Sequence, residues 1–199
     1  MEWTEFQHLP ELAIAAALAW GAGLRLYLVV FVFGLAAHLG YWTLPEHLQV
    51  LQHPVVIGAA GFMAAVELFA DKVPWLDSLW DAVHTFVRIP AGALLAAGAM
   101  GDLGAAVAVA AALLGGSLTA LTHLAKSGTR AAVNTSPEPF SNAAVSVTED
   151  VTVLGAAWLA VHYPLAFIAL VLLFVVAAVL LLRWLVQGAR RMLARVRSG

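Results

Sequence analysis

Apolar segments long enough to cross a membrane recur along the chain, and the clearest of them is LAFIALVLLFVVAAVLLLRWL, which begins at residue 165. A helix needs roughly 20 apolar residues to cross the hydrocarbon core of a bilayer. Charged residues make up 11% of the chain, whereas an average soluble domain has about 25%. We therefore predict a single all-α integral membrane domain over residues 1–199. Because the chain contains no cysteine, disulfides and thiolate metal sites are excluded.

Proline and glycine residues divide the apolar sequence into six predicted transmembrane helices. Pro90 lies inside the third helix and predicts a kink there. The predicted spans cover approximately residues 11–39, 54–70, 75–100, 103–125, 141–162 and 164–186, and a basic tail follows at 187–199.

The distribution of lysine and arginine predicts an orientation. None occurs in the connections 40–53, 101–104 and 162–164, whereas Lys72 and the tail lie in the other connections. Cytoplasmic loops carry an excess of lysine and arginine. We therefore expect a multi-pass protein of the bacterial cytoplasmic (inner) membrane, with both termini on the cytoplasmic side.

Two polar stretches, ELFADKVPWLDSLWDAVHTFVR at 67–88 and KSGTRAAVNTSPEPFSNAAVSVTED at 126–150, interrupt the apolar pattern. Each contains a proline followed by an aromatic residue and, three positions after the proline, an Asp or Asn. The shared pattern indicates either two similar helix starts or a duplicated unit whose halves run parallel. One face of the third span then carries Asp77, Asp81, His84 and Arg88, and the matching face of the fifth carries Asn142, Ser146 and Glu149, with Asp150 beside it.

Arg25 lies near the middle of the first span, about 20 Å along the helix from Glu11 at the usual helical rise. An arginine this deep is expected to face the bundle interior and meet an acid, and Glu149 and Asp150 lie at a similar depth. Such a network either lines an ion or solute pathway or holds the helices together as fixed ion pairs. The predicted pathway consists of Arg25, Asp77, Asp81, His84, Arg88, Asn142, Ser146, Glu149 and Asp150.

Acidic residues near the predicted cytoplasmic ends form a second group of candidates. The spacing of Asp77, Asp81 and His84 could place three ligands around one divalent cation. Neutralisation of these acids by Lys72 and Arg88, without any metal, is the alternative. No other cofactor is predicted. The expected cytoplasmic mouth consists of Glu67, Asp71, Lys72 and Glu138.

The segment NTSPEPFSN is rich in residues that form turns. Together with the cations that precede it, the segment could hold a phosphate or carboxylate, or it could be an ordinary cytoplasmic loop. The residues predicted to bind an anion or a lipid headgroup are Lys126, Arg130, Asn134 and Ser136.

The blocks ELFADKVPWLDSLWDAVHTFVRIPAGALLA and HLAKSGTRAAVNTSPEPFSNAAVSVTEDVTVLG resemble the two signature blocks of an uncharacterised bacterial family of small multi-span membrane proteins, a domain of unknown function. The resemblance covers approximately residues 11–186, and NTSPEPFSN is its most specific part. It implies a membrane protein and marks the same two polar stretches, but it implies no activity.

The sequence favours a small transporter or channel-like protein that moves an ion or small solute between spans 1, 3 and 5. The alternative is a non-transporting module whose cytoplasmic loops bind anionic lipid headgroups or a partner protein. An enzyme is less favoured, because only Asp81, His84 and Glu138 could act as a base or nucleophile. The expected partner is the lipid bilayer, and no nucleic acid is expected. The sequence also allows a homo-oligomer, because small residues that favour close helix packing repeat along the fourth span at Ala108, Ala112, Gly116 and Ala120.

Overall fold

The computed structural model describes residues 7–133 and 139–198, so the predicted site residues Asn134, Ser136 and Glu138 lie outside the described residues. The described secondary structure is entirely helical. It comprises α1 (Leu9–His38), a 3-10 helix (Glu46–Gln52), α2 (Pro54–Ala70), α3 (Pro74–Ala99), a 3-10 turn (Gly101–Leu103), α4 (Ala105–Val133), α5 (Pro139–His162) and α6 (Pro164–Ser198).

Proline marks the start of most of the helices. The first residue of α2, α3, α5 and α6 is a proline, which suits the first helical position because its missing N–H would be unpaired there. The side chain of His53 accepts a hydrogen bond from Val55 N at 3.3 Å and caps α2. Each polar stretch contains a helix that begins at its proline, Pro74 or Pro139, although the N-cap of α3 is Val73 and Asp77 lies in the first turn. Their origin in a duplication stays a prediction.

Helix α1 does not run straight but folds back on itself at Arg25, whose φ of −145° and ψ of 74° are not helical. A Cβ placed on Gly21 would lie 2.8 Å from Val29 Cγ2, although residues eight apart in a straight helix are separated by about 12 Å. The contacts of the two ends of α1 agree with the fold-back. Leu12 and Met100 line one groove, and Gly34 touches Leu51 of the 3-10 helix.

Helix α1 therefore has two arms, 9–24 and 26–38. The first arm begins, and the second arm ends, at the same end of the bundle. We call this end the turn face; it also holds the 3-10 helix and the α3–α4 turn, where Leu48 Cδ2 would lie 2.7 Å from a Cβ on Gly98. The arms are about 24 and 20 Å long, each shorter than the roughly 30 Å of bilayer hydrocarbon. The predicted span at residues 11–39 therefore contains a break at Arg25 that the sequence does not predict.

Five helices are long and apolar enough to cross a membrane, or up to six if the 3-10 helix and α2, which meet at 67°, form one broken span. This composition is that of a membrane protein. Helix α1 passes the criterion of length and apolarity, but its turn at Arg25 divides it into two half-helices. The other helices that are long and apolar enough to cross are α3, α4, α5 and α6, with α2 and the 3-10 helix as the broken candidate.

Small residues close the half of the bundle next to the turn face. A methyl group on Gly92 would overlap the side chain of Thr119, and one on Gly115 would overlap Ala96 Cβ. Thr119 Oγ1 lies 2.7 Å from the carbonyl oxygen of Ala19, which joins α4 to α1. Gly116 of the predicted small-residue stripe faces Ala93 of α3, so at this position the stripe packs within the chain.

Candidate functional site

Ten charged side chains from α1, α3, α4, α5 and the end of α2 meet around the tip of the folded α1. They form the ionic cluster, which consists of Arg25, Glu67, Asp71, Asp77, Asp81, Arg88, Lys126, Arg130, Glu149 and Asp150. All of them are buried except Asp150, whose side chain is 27% exposed. Along α5, Glu149 lies 13 residues before the end of the helix at His162. At the usual helical rise, this places the cluster about 20 Å from the turn face.

Arg25 joins the tip of α1 to α2 and α5. Its guanidinium pairs with Asp71, lies 2.9 Å from Asp150 Oδ1 and 3.4 Å from Glu149 Oε2, and donates to Ser146 Oγ at 2.6 Å. A backbone carbonyl at the break in α1 also has a partner, because Lys126 Nζ donates to the carbonyl oxygen of Leu24 at 3.0 Å. Breaking a helix inside a protein is tolerated where neighbouring groups satisfy the exposed backbone in this way.

Arg130 of α4 binds Glu149 with two parallel hydrogen bonds, 3.1 Å from Nε to Oε1 and 2.9 Å from Nη2 to Oε2. Its Nη2 also donates to Asp71 Oδ2 at 3.1 Å, and its Nη1 lies 4.0 Å from Asp77 Oδ1. Bidentate pairs fix geometry as well as charge. Arg130 and Arg25 therefore share Asp71 and Glu149, which connects α1, α2, α4 and α5 through two guanidinium groups.

Arg88 and Lys126 organise the other half of the cluster. Arg88 pairs with Glu67 and donates to Asp81 Oδ1 at 2.8 Å. Lys126 Nζ lies 3.6 Å from both Glu67 Oε1 and Asp81 Oδ1 and 3.7 Å from Glu149 Oε2. Lys126 thus links this half to the half that Arg25 and Arg130 hold.

Two histidines border the cluster, and their hydrogen bonds define their proton positions. Nδ1 of His123 lies 3.1 Å from Nη1 of Arg88, and because a guanidinium only donates, this nitrogen accepts and His123 is neutral. Nδ1 of His84 lies 2.9 Å from the carbonyl oxygen of Trp80 and therefore donates. Its Nε2, 3.1 Å from the Tyr27 hydroxyl, is left to accept when the ring is neutral.

Among the described side chains, the cluster holds six carboxylates against four cations. In the buried carboxyls of Glu67 and Asp71, the hydrogen-bond donors lie at one of the two oxygens. The other oxygen, Oε2 of Glu67 or Oδ1 of Asp71, has no hydrogen bond among the described residues. Burying unbalanced charge is costly. The arrangement is therefore one that attracts protons or cations rather than anions.

Two clefts reach the cluster from the sides of the bundle. A cleft of about 340 Å³ between α1, α2 and α5 is lined by Arg25, Glu67 and Asp150 among others. A second cleft of about 320 Å³ between α4 and α5 is lined by Lys126, Glu149 and three threonines. The cluster is thus accessible beside α5, whereas the small residues of the turn-face half separate it from that end.

The structure brings most of the predicted pathway together. Arg25 meets Glu149 and Asp150 as the sequence predicts, and both predicted faces are buried. The use of these residues as a pathway stays a prediction. The buried predicted positions are Asp77, Asp81, His84 and Arg88 on α3 and Asn142, Ser146 and Glu149 on α5.

The predicted positions of four residues need correction. Lys126 and Arg130 belong to the last turns of α4, not to a loop after residue 125, and both are buried and paired with acids rather than free to meet an anion. Glu67 and Asp71 lie inside the cluster and not at a mouth. Lys72 is exposed, and its Nζ lies 5.0 Å from the centre of the Phe69 ring.

The proposed metal ligands do not converge. Asp81 pairs with Arg88, His84 meets Tyr27, and Asp77 lies beside Arg130. Within residues 7–133 and 139–198, no group of three or more His, Asp or Glu is arranged to hold a metal ion.

Sequence reasoning missed His123, Thr85 and Tyr27. No role is predicted for His123 from the sequence, but this histidine is buried and its Nε2 lies 2.7 Å from Thr85 Oγ1. The signal was present: His123, Lys126 and Arg130 follow one another at steps of three and four and so share one helix face.

A family model described as a domain of unknown function (DUF4126) matches residues 12–184, from the first arm of α1 into α6. The chain belongs to the DUF4126 family. The match includes every member of the ionic cluster, so the cluster is part of the family domain rather than of an appended segment. No curated protein and no solved structure matches this DUF4126 chain.

Proposed function

We propose that this DUF4126 protein is a small membrane transporter that moves an ion or small solute past the ionic cluster. The observation that carries the proposal is the placement of the cluster at the tip of a helix that enters the bundle, breaks at a buried arginine and returns. Broken helices whose ends meet near the midplane are a recurrent feature of transporter binding sites. Charged groups at such depth mark ion or substrate pathways by default.

The access to the cluster supports a transporter over an open channel. The half next to the turn face is closed by Gly92, Gly115 and Thr119, whereas the cleft at Glu67 and Asp150 reaches the cluster from the side. A site that is reached from one direction and closed in the other fits one state of an alternating-access cycle. The folded α1 is the natural moving element, because Arg25 at its tip contacts Asp71 and Glu149.

The orientation that we propose follows from the folded α1. The end opposite the turn face receives Lys72, the end of α4 and the basic tail, and it is therefore the cytoplasmic side of a bacterial inner membrane by the positive-inside rule. Since α1 returns to the turn face and five passages follow, the start of α1 lies on the opposite side from the end of α6. This replaces the expectation of two cytoplasmic termini. Because the chain has no cysteine, labelling of single cysteines at positions 9 and 72 in sealed vesicles tests it: opposite accessibility supports the arrangement, and equal accessibility contradicts it.

Transport is tested by flux in proteoliposomes over a panel of alkali cations, small anions, amino acids and sugars. Wild-type protein should move at least one member of the panel faster than empty liposomes. The pair Arg25→Ala and Glu149→Ala should abolish this flux, and so should Asp150→Asn in the cleft. The matched control is Arg183→Ala with Glu46→Gln, which removes the same charges from two exposed positions. Wild-type flux equal to that of empty liposomes across the panel overturns the proposal, as does full flux in the cluster variants.

A further inference from the structure

We propose that the cleft between α1, α2 and α5 binds an organic cation. The ammonium group of this ligand meets the carboxylate of Asp150, and its hydrocarbon part packs on the apolar walls of the cleft. Resting on the proposed function, this makes an ammonium compound the solute that passes the ionic cluster. The ammonium group is common to two sources, a soluble amine and the headgroup of an aminophospholipid.

Asp150 is the carboxylate of the ionic cluster that is most open to a ligand. Its side chain is 27% exposed, whereas the side chains of the other five acids are at most 10% exposed. Its partner is Arg25, whose Nε lies 2.9 Å from Oδ1 and whose guanidinium also serves Asp71 and Glu149. Because the described cluster holds six carboxylates against four cations, its open carboxylate attracts a positive ligand.

Glu67 is the second acid that lines the cleft. Its Oε1 pairs with Arg88 and lies 3.6 Å from Lys126 Nζ. Its Oε2 has no hydrogen bond among the described residues, although the side chain is 1% exposed. Buried acceptors are normally paired with a donor. A donor is therefore what this wall of the cleft lacks, and an ammonium group supplies donors alone.

The rest of the cleft suits the hydrocarbon part of such a ligand. Seven of the ten residues that line it carry no polar side-chain atom, among them Leu28, Phe31 and Leu154. The ring of Phe31 lies against α2, where its Cδ2 and Cε2 would be 3.0 Å from a Cβ on Gly61. Aromatic rings attract cations that lie over their faces within about 6 Å. The volume of about 340 Å³ suits a small molecule, since ligand sites usually measure about 300–1,000 Å³.

Metal ions and anions fit the cleft less well than an ammonium group. The described residues form no group of three or more His, Asp or Glu that could hold a metal ion, and Mg²⁺ or Ca²⁺ takes about six or more oxygen ligands. Arg25 is the cation that lines the cleft. Its three nitrogens already face Asp71, Ser146 and Asp150, which leaves it no free donor for a carboxylate or a phosphate.

Occupancy of the cleft is coupled to the folded α1 through Arg25. The ammonium group of the ligand and Nε of Arg25 compete for the same carboxylate, that of Asp150. Binding therefore weakens one contact that holds the tip of α1, while Asp71 and Ser146 still hold the guanidinium. This competition links the arrival of a cation to movement of α1.

Thermal unfolding of the purified protein in detergent tests the cation site with probes that share an alkyl chain and differ in charge. At equal ionic strength, n-butylammonium chloride should raise the melting temperature of the wild type above its value in NaCl, whereas sodium butyrate and butanol should not. Asp150→Asn should weaken the apparent affinity for n-butylammonium about tenfold or more, as expected for the loss of one charge-assisted hydrogen bond. The matched control is Asp102→Asn, which changes an exposed acid outside the cleft and should respond like wild type.

Ligand-observed NMR of the wild type needs no variant and therefore does not depend on how well Asp150→Asn folds. After subtraction of the signal from empty micelles, saturation should pass from the protein to n-butylammonium and not to butyrate. The cation site is overturned if n-butylammonium receives no saturation, if NaCl or butyrate stabilises the protein as much as n-butylammonium chloride does, or if folded Asp150→Asn keeps the wild-type affinity.

Nanodiscs of phosphatidylglycerol, with and without phosphatidylethanolamine, separate the two sources of the ammonium group. Phosphatidylethanolamine that native mass spectrometry finds on wild type and not on Asp150→Asn would assign the cleft to the lipid headgroup. Stabilisation by n-butylammonium in phosphatidylglycerol alone, without preferential retention of phosphatidylethanolamine, would assign it to a soluble amine. Absence of both effects would overturn the cation site.

These measurements use neither a gradient nor transport. Binding of n-butylammonium by a protein that moves no solute would therefore reject the transporter and keep the cation site. Solute flux without binding of n-butylammonium or phosphatidylethanolamine would reject the cation site and keep the transporter.

Discussion

Gly21 and Val29 lie against each other although eight residues separate them, with 2.8 Å between the Cβ position of Gly21 and Val29 Cγ2. This contact closes the two arms of α1 and brings Arg25 to the tip. While valine occupies position 29, position 21 has no room for a side chain, because a Cβ there would lie 2.8 Å from Val29 Cγ2. The position of the whole ionic cluster depends on this turn.

The fold-back predicts a cross-link that a straight helix would forbid. In this cysteine-free chain, Gly21→Cys with Val29→Cys removes the crowding Cγ2 of Val29 and leaves the two Cβ positions 3.1 Å apart. This is close enough for a disulfide, whose Cβ atoms are usually about 3.8 Å apart. Mild oxidation should consume both thiols, as measured by mass spectrometry after alkylation. The control pair Ala13→Cys with Gly21→Cys has the same separation in sequence but lies within one arm, about 12 Å apart. Free thiols remaining in both pairs would mean that α1 is straight.

Removing Arg25 should destabilise the protein strongly. Arg25→Ala leaves Asp71 and Glu149 with one cation fewer, and breaking a buried pair in this way typically costs about 3–5 kcal/mol. Thermal unfolding in detergent measures the loss, and the exposed Arg183→Ala should melt near wild type. Adding Asp71→Ala to Arg25→Ala should recover part of the stability, since the uncompensated carboxylate is gone. Equal melting of Arg25→Ala and Arg183→Ala would show that Arg25 is not in a buried network.

The close packing next to the turn face predicts opposite effects for two glycine substitutions. Gly115→Ala puts a methyl group onto Ala96 Cβ and 3.2 Å from the carbonyl oxygen of Gly92, and overpacking of this kind costs about 1–3 kcal/mol. Gly58→Ala meets nothing within 4 Å and should be neutral or gain about 0.5–1 kcal/mol from the better helix propensity of alanine. Thermal unfolding of both variants decides the matter, and a Gly115→Ala protein as stable as Gly58→Ala would contradict the packing.

The burial of Lys126 predicts the outcome for the lipid-binding alternative. Because Lys126 Nζ is held among Glu67, Asp81 and Glu149, Lys126→Ala should lower the melting temperature without reducing the anionic lipid that the folded fraction retains. Native mass spectrometry measures this retention, with Lys72→Ala as the exposed comparison. Loss of lipid on Lys126→Ala but not on Lys72→Ala would favour a headgroup site in place of the ionic cluster.

The sequence predicts the site better than it predicts the path of the chain. Asp77, Asp81 and Arg88 follow one another at helical spacing between apolar residues, so their common buried face is visible from spacing alone. The depth of Arg25 likewise requires acidic partners, and Glu149 and Asp150 are among the acids that it meets. Hydrophobic patterning and the cost of buried charge are sufficient for both results.

The fold-back of α1 is not visible in the sequence for a physical reason. An apolar segment of 30 residues has the same composition whether it crosses the membrane once or enters and returns, and no proline marks the break at Arg25. Asp71 is next to Lys72 and close to a proline, as residues at a helix end are, so the sequence places it at the cytoplasmic mouth. Only the tertiary arrangement, in which α2 ends against the tip of α1, puts it at the centre of the cluster.

The most direct test of the account compares solute uptake by proteoliposomes that contain the wild type with uptake by those that contain the pair Arg25→Ala and Glu149→Ala. For the panel solute that the wild type moves, this pair should reduce the rate to that of empty liposomes. The exposed control, Arg183→Ala with Glu46→Gln, should keep the wild-type rate. A wild type that moves no solute, or a cluster pair that moves it at the wild-type rate, would contradict transport past the ionic cluster.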